Sequence, residues 1–202
     1  MHNPMLWGRM MHRRERAEFR ASARPLAAVA SIISGIAWLA WELSRRVWDD
    51  GSSSDCAGPA DFYNDATFAV ATVTAAIALA ALFWLLQGAL RWFCLAAAVG
   101  AAAWGVGNSV EHCVAEPFFL LYAGGGLMYT LATCGLAAGL LATGQLGRWP
   151  GLLLGVAALG PLWLAFEGGG AAVAGVAWLL SGVCFYVMTS SERSTNGIEQ
   201  SR

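Results

Sequence analysis

Six apolar runs, each about as long as a membrane is thick, restrict the fold of this 202-residue chain more than any other feature. A helix of about 20 apolar residues crosses the hydrocarbon core of a bilayer. Only 12% of the residues are charged, about half the usual share in a soluble domain. The sequence therefore predicts an all-α fold, an integral membrane bundle of six transmembrane helices. The predicted spans are 26–43, 66–86, 92–110, 118–142, 150–166 and 171–188.

The arginines decide the predicted orientation, because the bias of basic residues toward the cytoplasm carries topological information and acidic residues carry little. With the N-terminus inside, ten arginines are cytoplasmic and only Arg45 and Arg46 lie outside. Both termini are thus predicted to be cytoplasmic. The predicted domains are a basic cytoplasmic tail at 1–24, a six-helix transmembrane domain at 25–188 and a polar cytoplasmic tail at 189–202, in which we expect no regular structure.

Prolines and small residues mark the irregular points of the predicted helices. Pro25 suits the first turn of the first helix, where its missing N–H leaves no bond unmade. The run Gly124–Gly126 predicts a notch that lets another helix approach closely; the alternative is a broken helix that lines a cavity. The motif G-I-A-W-L at 35–39 recurs as G-V-A-W-L at 175–179. We interpret this recurrence as chance, and not as an internal duplication.

The densest group of reactive side chains follows the third span. If the helix continues that far, Asn108, Glu111 and His112 share one edge near the outer membrane boundary. Such a cluster can bind a cation or relay a proton, with His112 titrating near neutral pH. Zinc needs three or four ligands, so a metal site at His112 and Glu111 is a weaker hypothesis than a hydrated helix end. The candidate cluster at the outer face comprises Asn108, Glu111, His112, Glu116, Glu42 and Glu167.

Two further pairings are predicted near the outer face. Glu42 precedes Arg45 and Arg46 by three and four residues, which predicts a surface ion pair of small energetic value. Cys56 and Cys113 are the two cysteines on the predicted oxidising side, and spacing alone leaves a disulfide between them open. The remaining cysteines lie within spans and are predicted to be packing residues: Cys94, Cys134 and Cys184.

Few polar groups are predicted inside the bundle. No charged residue is expected near the bilayer centre, which disfavours a transporter driven by protons or sodium. The predicted inner polar groups are the hydroxyls of Thr72, Thr74, Thr130, Thr133 and Ser181. Several tryptophans fall near predicted interfaces, as aromatic belts do: Trp38, Trp41, Trp48, Trp92, Trp149 and Trp163. Three others fit packing between helices or the lining of a pocket: Trp84, Trp104 and Trp178.

The general layout of the chain resembles small uncharacterised polytopic membrane proteins of bacteria. The features that carry this resemblance are the basic tail, a span with G-I-A-W-L, the loop motif Asp61-Phe62-Tyr63, a third span ending in G-N-S-V-E, and Gly147-Arg148-Trp149-Pro150-Gly151 before the fifth span. The resemblance implies a bacterial inner membrane and brings no activity or functional residue with it.

Three functions remain open at this point. The leading hypothesis is a non-enzymatic membrane component that binds a lipid, a small ligand or a partner membrane protein, or associates with a second copy of itself. The first alternative is a small-solute transporter or channel, which requires a continuous polar path. The second is an intramembrane enzyme that uses Glu111 and His112 at the outer face. No motif for a cofactor or for nucleic acid is present.

Overall fold

The computed structural model consists of six α-helices. It describes the backbone at 4–48, 59–114, 119–163 and 169–199, and the side chains at 19–47, 62–108, 120–160 and 169–188. The helices are α1 (Pro4–Trp48), α2 (Pro59–Leu85), α3 (Leu90–Val114), α4 (Phe119–Thr143), α5 (Arg148–Trp163) and α6 (Gly170–Glu199).

Five of these helices are long and apolar enough to cross a membrane. The qualifying segments are Phe19–Val47, Phe62–Leu85, Leu90–Asn108, Leu120–Thr143 and Gly170–Met188. Helix α5 has 16 described residues, which reach about 24 Å at about 1.5 Å per residue. That is shorter than the hydrocarbon core of about 30 Å. The helical fold is confirmed and five helices are suited by length and composition to cross a membrane, while the count of six spans stays a prediction.

Several predicted boundaries are wrong, because helices continue beyond the apolar runs. Helix α1 begins at Pro4, so Pro25 lies inside it and not in its first turn. Phe19 stacks on Trp84 of α2 with ring centroids 5.4 Å apart, which extends the packing of α1 beyond the predicted span. Helix α2 starts at Pro59, and the backbone of α6 is helical to Glu199, where no regular structure was expected. Hydropathy locates the membrane-crossing part of a helix and says little about where the helix ends.

The helices form a closed ring in chain order. Close backbone approaches among the described residues join each helix to its neighbour in the chain, and α6 to α1. Rising residue numbers on α3 meet falling numbers on α4, and the same holds for α1 and α6, so both pairs are antiparallel. Each of the five candidate spans turns 44–50% of its apolar window into the protein, which leaves the other half free to face lipid.

Glycines let the neighbouring helices approach closely at two seams. A Cβ on Gly125 of α4 would lie 2.5 Å from the backbone nitrogen of Trp104 on α3, whereas one on Gly124 would meet nothing within 4 Å. The close approach at Gly125 confirms the predicted packing notch. The alternative, a broken helix, is wrong, because α4 continues through the glycine run. At the other seam, Gly35 of α1 faces Gly175 and Leu179 of α6.

Two tight turns close one end of the ring, which we name the Arg91 end. Gly88 lies between α2 and α3 and Gly144 between α4 and α5, with φ of 63° and 67° that favour glycine. The backbone N–H of Gln87 donates to Oε1 of Gln145 at 3.0 Å, so the two turns are joined. The opposite end, where α1 reaches Glu42 and α2 begins, is named the Glu42 end.

Candidate functional site

Glu42 is buried, with only 6% of its surface exposed. The predicted ion pair forms, but the prediction that it lies on the surface is wrong for the carboxylate. Its Oε1 accepts a hydrogen bond of 2.8 Å from Nε of Arg46, one turn further along α1. The Arg45 guanidinium instead lies over the ring of Trp41, 4.9 Å from its centroid. The two arginines that precede the first loop therefore have different roles, and of these two it is Arg46 that pairs with the buried carboxylate.

Asn108 of α3 is hydrogen-bonded to the beginning of α2. Its Nδ2 donates to Oδ1 of Asp65 at 3.2 Å, and the next residue back, Asn64, is hydrogen-bonded through its Oδ1 to the Ser44 hydroxyl of α1. Consecutive residues of α2 thus fasten it to α3 on one side and to α1 on the other. The sequence analysis missed Asn64 and Asp65 because they were assigned to a loop, and it missed Ser44 because its partner Asn64 is 20 residues away.

The other members of the predicted outer cluster lie outside the described side chains. The backbone of α3 is helical through Val114, so the helix does continue through the predicted cluster. Among the described residues, no group of three or more His, Cys, Asp and Glu side chains could hold a metal ion. The side chains that fall outside are those of Glu111, His112, Glu116 and Glu167, together with both cysteines of the predicted disulfide, Cys56 and Cys113.

Four of the five predicted inner hydroxyls donate to carbonyls of their own helices. Thr133 Oγ1 donates to the carbonyl of Tyr129 at 2.6 Å, and Ser181 Oγ donates to the carbonyl of Ala177 at 2.8 Å. Thr72 and Thr74 bond in the same way to carbonyls of α2. Thr130 is buried. Hydroxyls that donate to carbonyls of their own helix do not line a continuous polar path.

Five buried aromatic residues fill the middle of the ring. One comes from each of the helices α1, α2, α3, α4 and α6, and we name them the central aromatic cluster: Trp38, Phe68, Trp104, Tyr129 and Trp178. The ring centroids of Trp38 and Trp104 are 5.7 Å apart, and those of Trp104 and Tyr129 are also 5.7 Å apart. Phe68 packs edge-on to Trp104 at 5.2 Å. Across the cluster, the Tyr129 hydroxyl faces the indole of Trp178.

Three polar atoms of this cluster have no hydrogen-bond partner among the described residues. They are Nε1 of Trp38, Nε1 of Trp178 and the hydroxyl of Tyr129. The Tyr129 hydroxyl and the Trp178 indole lie close enough to interact, but they do not have the geometry of a hydrogen bond. The three side chains are at least 98% buried. Buried Trp and Tyr side chains usually find a partner, and an unmade bond costs about 1–3 kcal/mol.

The recurring G-x-A-W-L motif sets the positions of the Trp38 and Trp178 indoles. Gly35 faces Leu179, and Gly175 faces Leu39, so the two copies of the motif pack against each other with a local twofold relation. At about 1.5 Å per residue, this pairing sets the Cα atoms of Trp38 and Trp178 about 3–9 Å apart in depth. The recurrence was interpreted as chance in the sequence. In the structure each copy of the motif contributes one buried tryptophan, from α1 or α6, whose indole N–H has no partner among the described residues.

The tryptophan predictions divide by helix face. Trp38 was predicted at the interface and lies in the core with 2% exposure, so that prediction is wrong. Trp104 and Trp178 are buried, in agreement with packing between helices, whereas Trp84 is exposed at 42%. Trp92 and Trp149 are exposed at 67% and 70%, as an aromatic belt requires. The sequence signal for Trp38 was its place in the recurring motif, four residues before Glu42.

The chemistry of the central aromatic cluster is that of a donor site. Indole N–H groups can only donate, and the neighbouring hydroxyl of Thr133 already directs its hydrogen to a backbone carbonyl. Glu42, one turn beyond Trp38 on α1, is bonded to Arg46 and belongs to the Glu42 end. A group that accepts hydrogen bonds would complement these indole N–H groups. No known protein family, curated protein or solved structure matches the chain.

Proposed function

We propose that this chain is a non-enzymatic protein of a bacterial plasma membrane that binds a small ligand inside its helix ring. The observation that carries the proposal is the set of three buried polar atoms without partners in the central aromatic cluster. Protein interiors leave few such groups unpaired, and each one calls for an explanation such as a bound water or ligand. A site enclosed by five helices of a membrane protein is reached from the lipid or from the ends of the ring.

The proposal includes six spans with both termini in the cytoplasm. The apolar residues exposed on α5 are Trp149, Leu152, Val156 and Leu159, which recur every three or four residues and form one outward stripe. A short helix with a lipid-facing stripe, set between α4 and α6, is well placed as a sixth span. The arginine bias then puts the Arg91 end in the cytoplasm and the Glu42 end outside.

The satisfied hydroxyls favour this proposal over a transporter or channel. A polar path needs side chains that face a common space, whereas Thr72, Thr133 and Ser181 donate to carbonyls of their own helices. The enzyme alternative depends on Glu111 and His112 and has no support from the described residues. Ligand binding at the unpaired donors is the remaining hypothesis with a structural observation behind it.

The test uses the sign of a stability change. Tyr129→Phe removes one unpaired hydroxyl and almost nothing else. In protein washed free of small molecules with detergent, we expect the variant to be more stable than wild type, because the unmade bond is gone. In protein purified gently in native lipid, we expect it to be less stable, because a bond to the ligand is lost. Tyr186→Phe is the matched control, since Tyr186 is 64% exposed on α6.

Organic extraction of the two preparations, followed by mass spectrometry, completes the test. We expect a small molecule in near-equimolar amount from gently purified wild type, and less of it from Tyr129→Phe. If Tyr129→Phe is more stable than wild type in both preparations and no compound is extracted, the proposed function is wrong.

A further inference from the structure

A strip of four aromatic rings crosses the outer surface of α1, α2 and α3 at the Arg91 end. Phe19 stacks on Trp84 with ring centroids 5.4 Å apart, and Trp84 packs edge-on to Phe83 at 5.4 Å. Phe83 in turn packs edge-on to Trp92 at 6.3 Å, and Cζ of Arg91 lies 4.4 Å from the Phe83 centroid. We name these five residues the Arg91 strip. Going beyond the proposed function, which concerns the ring interior, we infer that the Arg91 strip binds the headgroup of an anionic phospholipid.

The Arg91 guanidinium is held in place by the end of α2. Its Nε donates to the carbonyl oxygen of Phe83 at 3.1 Å. That carbonyl has no helical partner, because the Gln87 N–H that would complete its bond donates to Gln145 at 3.0 Å instead. The bond uses Nε only, and the Nη donors of Arg91 have no acceptor among the described residues. A guanidinium that is already fixed in position loses little freedom on binding an anion, and its remaining donors suit a phosphate group.

The charge at this end is positive in the part of the chain whose side chains the structure describes. Arg20 is exposed on α1, and Arg148 is exposed at the start of α5. The acidic side chains in the same part of the chain, Glu42 and Asp65, both lie at the Glu42 end. No described carboxylate therefore balances the half-buried Arg91, and an anionic partner complements this end of the ring.

The surroundings of the Arg91 strip favour a lipid over a soluble anion. Trp84 is exposed at the end of an outward apolar stripe of α2 that includes Val73 and Ile77. Ile77 lies seven residues before Trp84, about 10 Å further from the Arg91 end. A phospholipid whose phosphate contacts Arg91 would place its acyl chains along this stripe, whereas a free phosphate would leave the stripe uncovered. Exposed tryptophans such as Trp84 and Trp92 are typical of the boundary between headgroups and hydrocarbon.

The experiment counts the lipids bound to the full chain in detergent by native mass spectrometry. Three probes are titrated: phosphatidylglycerol, phosphatidylcholine with the same acyl chains, and glycerol 3-phosphate, which keeps the anionic group without the chains. We expect wild type to bind the first phosphatidylglycerol about tenfold more tightly than phosphatidylcholine, because the arginines repel the choline cation. We expect no binding of glycerol 3-phosphate at the same concentrations.

Variants locate the binding on the Arg91 strip. We expect Arg91→Gln to weaken phosphatidylglycerol binding about tenfold, the effect of one hydrogen bond to a charged group. Arg148→Gln is the matched control, because it removes the same charge at the same end from an exposed residue outside the strip, and its affinity should stay within about twofold.

A second variant keeps the bond between Arg91 and α2 intact. We expect Trp84→Leu to weaken phosphatidylglycerol binding about fivefold, because an aromatic contact is lost while the position stays apolar. Trp149→Leu is its control, since Trp149 is exposed on α5 and outside the strip, and should change the affinity by less than about twofold. If Arg91→Gln does not fold, this pair and the ranking of the three probes on wild type decide the question.

Three results would overturn the lipid site. Equal losses in Arg91→Gln and Arg148→Gln would show a general attraction of the basic end without a site. Equal affinity for the two lipids would show that the negative charge is not recognised, and binding of glycerol 3-phosphate as tight as that of phosphatidylglycerol would show a site for soluble anions. Failure here leaves the proposed function in place, because the compound expected inside the ring is lost in Tyr129→Phe, whereas phosphatidylglycerol is lost in Arg91→Gln and kept in Tyr129→Phe.

Discussion

Polar side chains at the Glu42 end are paired, although water can reach that end, while the polar atoms of the central aromatic cluster are unpaired in a place that water does not reach. Asn108 is bonded to Asp65, and the buried carboxylate of Glu42 is bonded to Arg46, whose own side chain is 60% exposed. Trp38, Trp178 and Tyr129 have no hydrogen-bond partner among the described residues, in a place where an unmade bond is expensive. The difference teaches that buried polarity without a partner, and not polarity as such, points to a site in this molecule.

The largest expected effect concerns the seam that holds the cluster in place. Gly125→Ala puts a methyl group 2.5 Å from the backbone of Trp104, where neither helix can yield without moving apart. We expect a loss of about 3 kcal/mol in the free energy of unfolding in detergent. Gly124→Ala is the adjacent control, with nothing within 4 Å, and should change stability by less than about 1 kcal/mol. Equal losses in the two variants would show that the seam is not close-packed.

The ion pair at the Glu42 end can be broken by removing Arg46. Arg46→Ala leaves a carboxylate whose side chain is only 9% exposed without its cation, and we expect a loss of about 2 kcal/mol. The figure is at the low end for a buried pair because the Arg46 side chain is 60% exposed. Arg45→Ala removes only the contact with Trp41 and should cost less than about 1 kcal/mol. Chemical unfolding of both variants compares them; a larger loss for Arg45→Ala contradicts the assignment.

A smaller effect compares two buried hydroxyls one turn apart on α4. Thr133→Val removes a hydroxyl that donates to the Tyr129 carbonyl at 2.6 Å, and should destabilise washed protein by about 1 kcal/mol. Tyr129→Phe removes a hydroxyl with no partner and should stabilise the same washed protein by about 1 kcal/mol. Thermal unfolding should therefore show stability changes of opposite sign in the two variants, which separates the paired hydroxyl from the unpaired one. The same sign in both variants would mean that the Tyr129 hydroxyl is bonded after all.

The smallest effect is expected at the Arg91 end. Gln145→Ala removes the side chain that accepts from the Gln87 backbone N–H at 3.0 Å, and both residues are exposed. Water replaces the lost acceptor, so stability should change by less than about 0.5 kcal/mol. A loss above about 1 kcal/mol in the free energy of unfolding would show that this hydrogen bond helps to hold the ring together.

Hydropathy recovers the helices but not the directions in which their residues point. It predicts that Trp38 and Glu42 lie near one end of the first span. It cannot tell that both face the ring interior, because α1 is apolar on its lipid side and on its core side alike. The buried state of Glu42 and the core position of Trp38 follow from the neighbours of α1, which the order of the chain does not reveal.

The candidate site was hidden for the same reason. Asn108 was grouped with residues close to it in sequence, whereas its partner Asp65 lies 43 residues earlier. The recurrence of G-x-A-W-L was visible, but its meaning depends on α6 returning to α1. Trp104 and Trp178 were recognised as deep, yet a missing hydrogen-bond partner is a property of three dimensions and leaves no trace in composition or spacing.

Closure of the ring has a consequence for the order in which the chain folds. Among the described helices, α1 and α6 form the one close backbone pair that is not adjacent in the chain. Hairpins can assemble as the chain is synthesised, but the Gly35–Gly175 seam cannot form until α6 has emerged. The indoles of Trp38 and Trp178 therefore come together in the last step of folding. A protein truncated before α6 would present an open cleft to the lipid and would lack Trp178, so the candidate site would be incomplete.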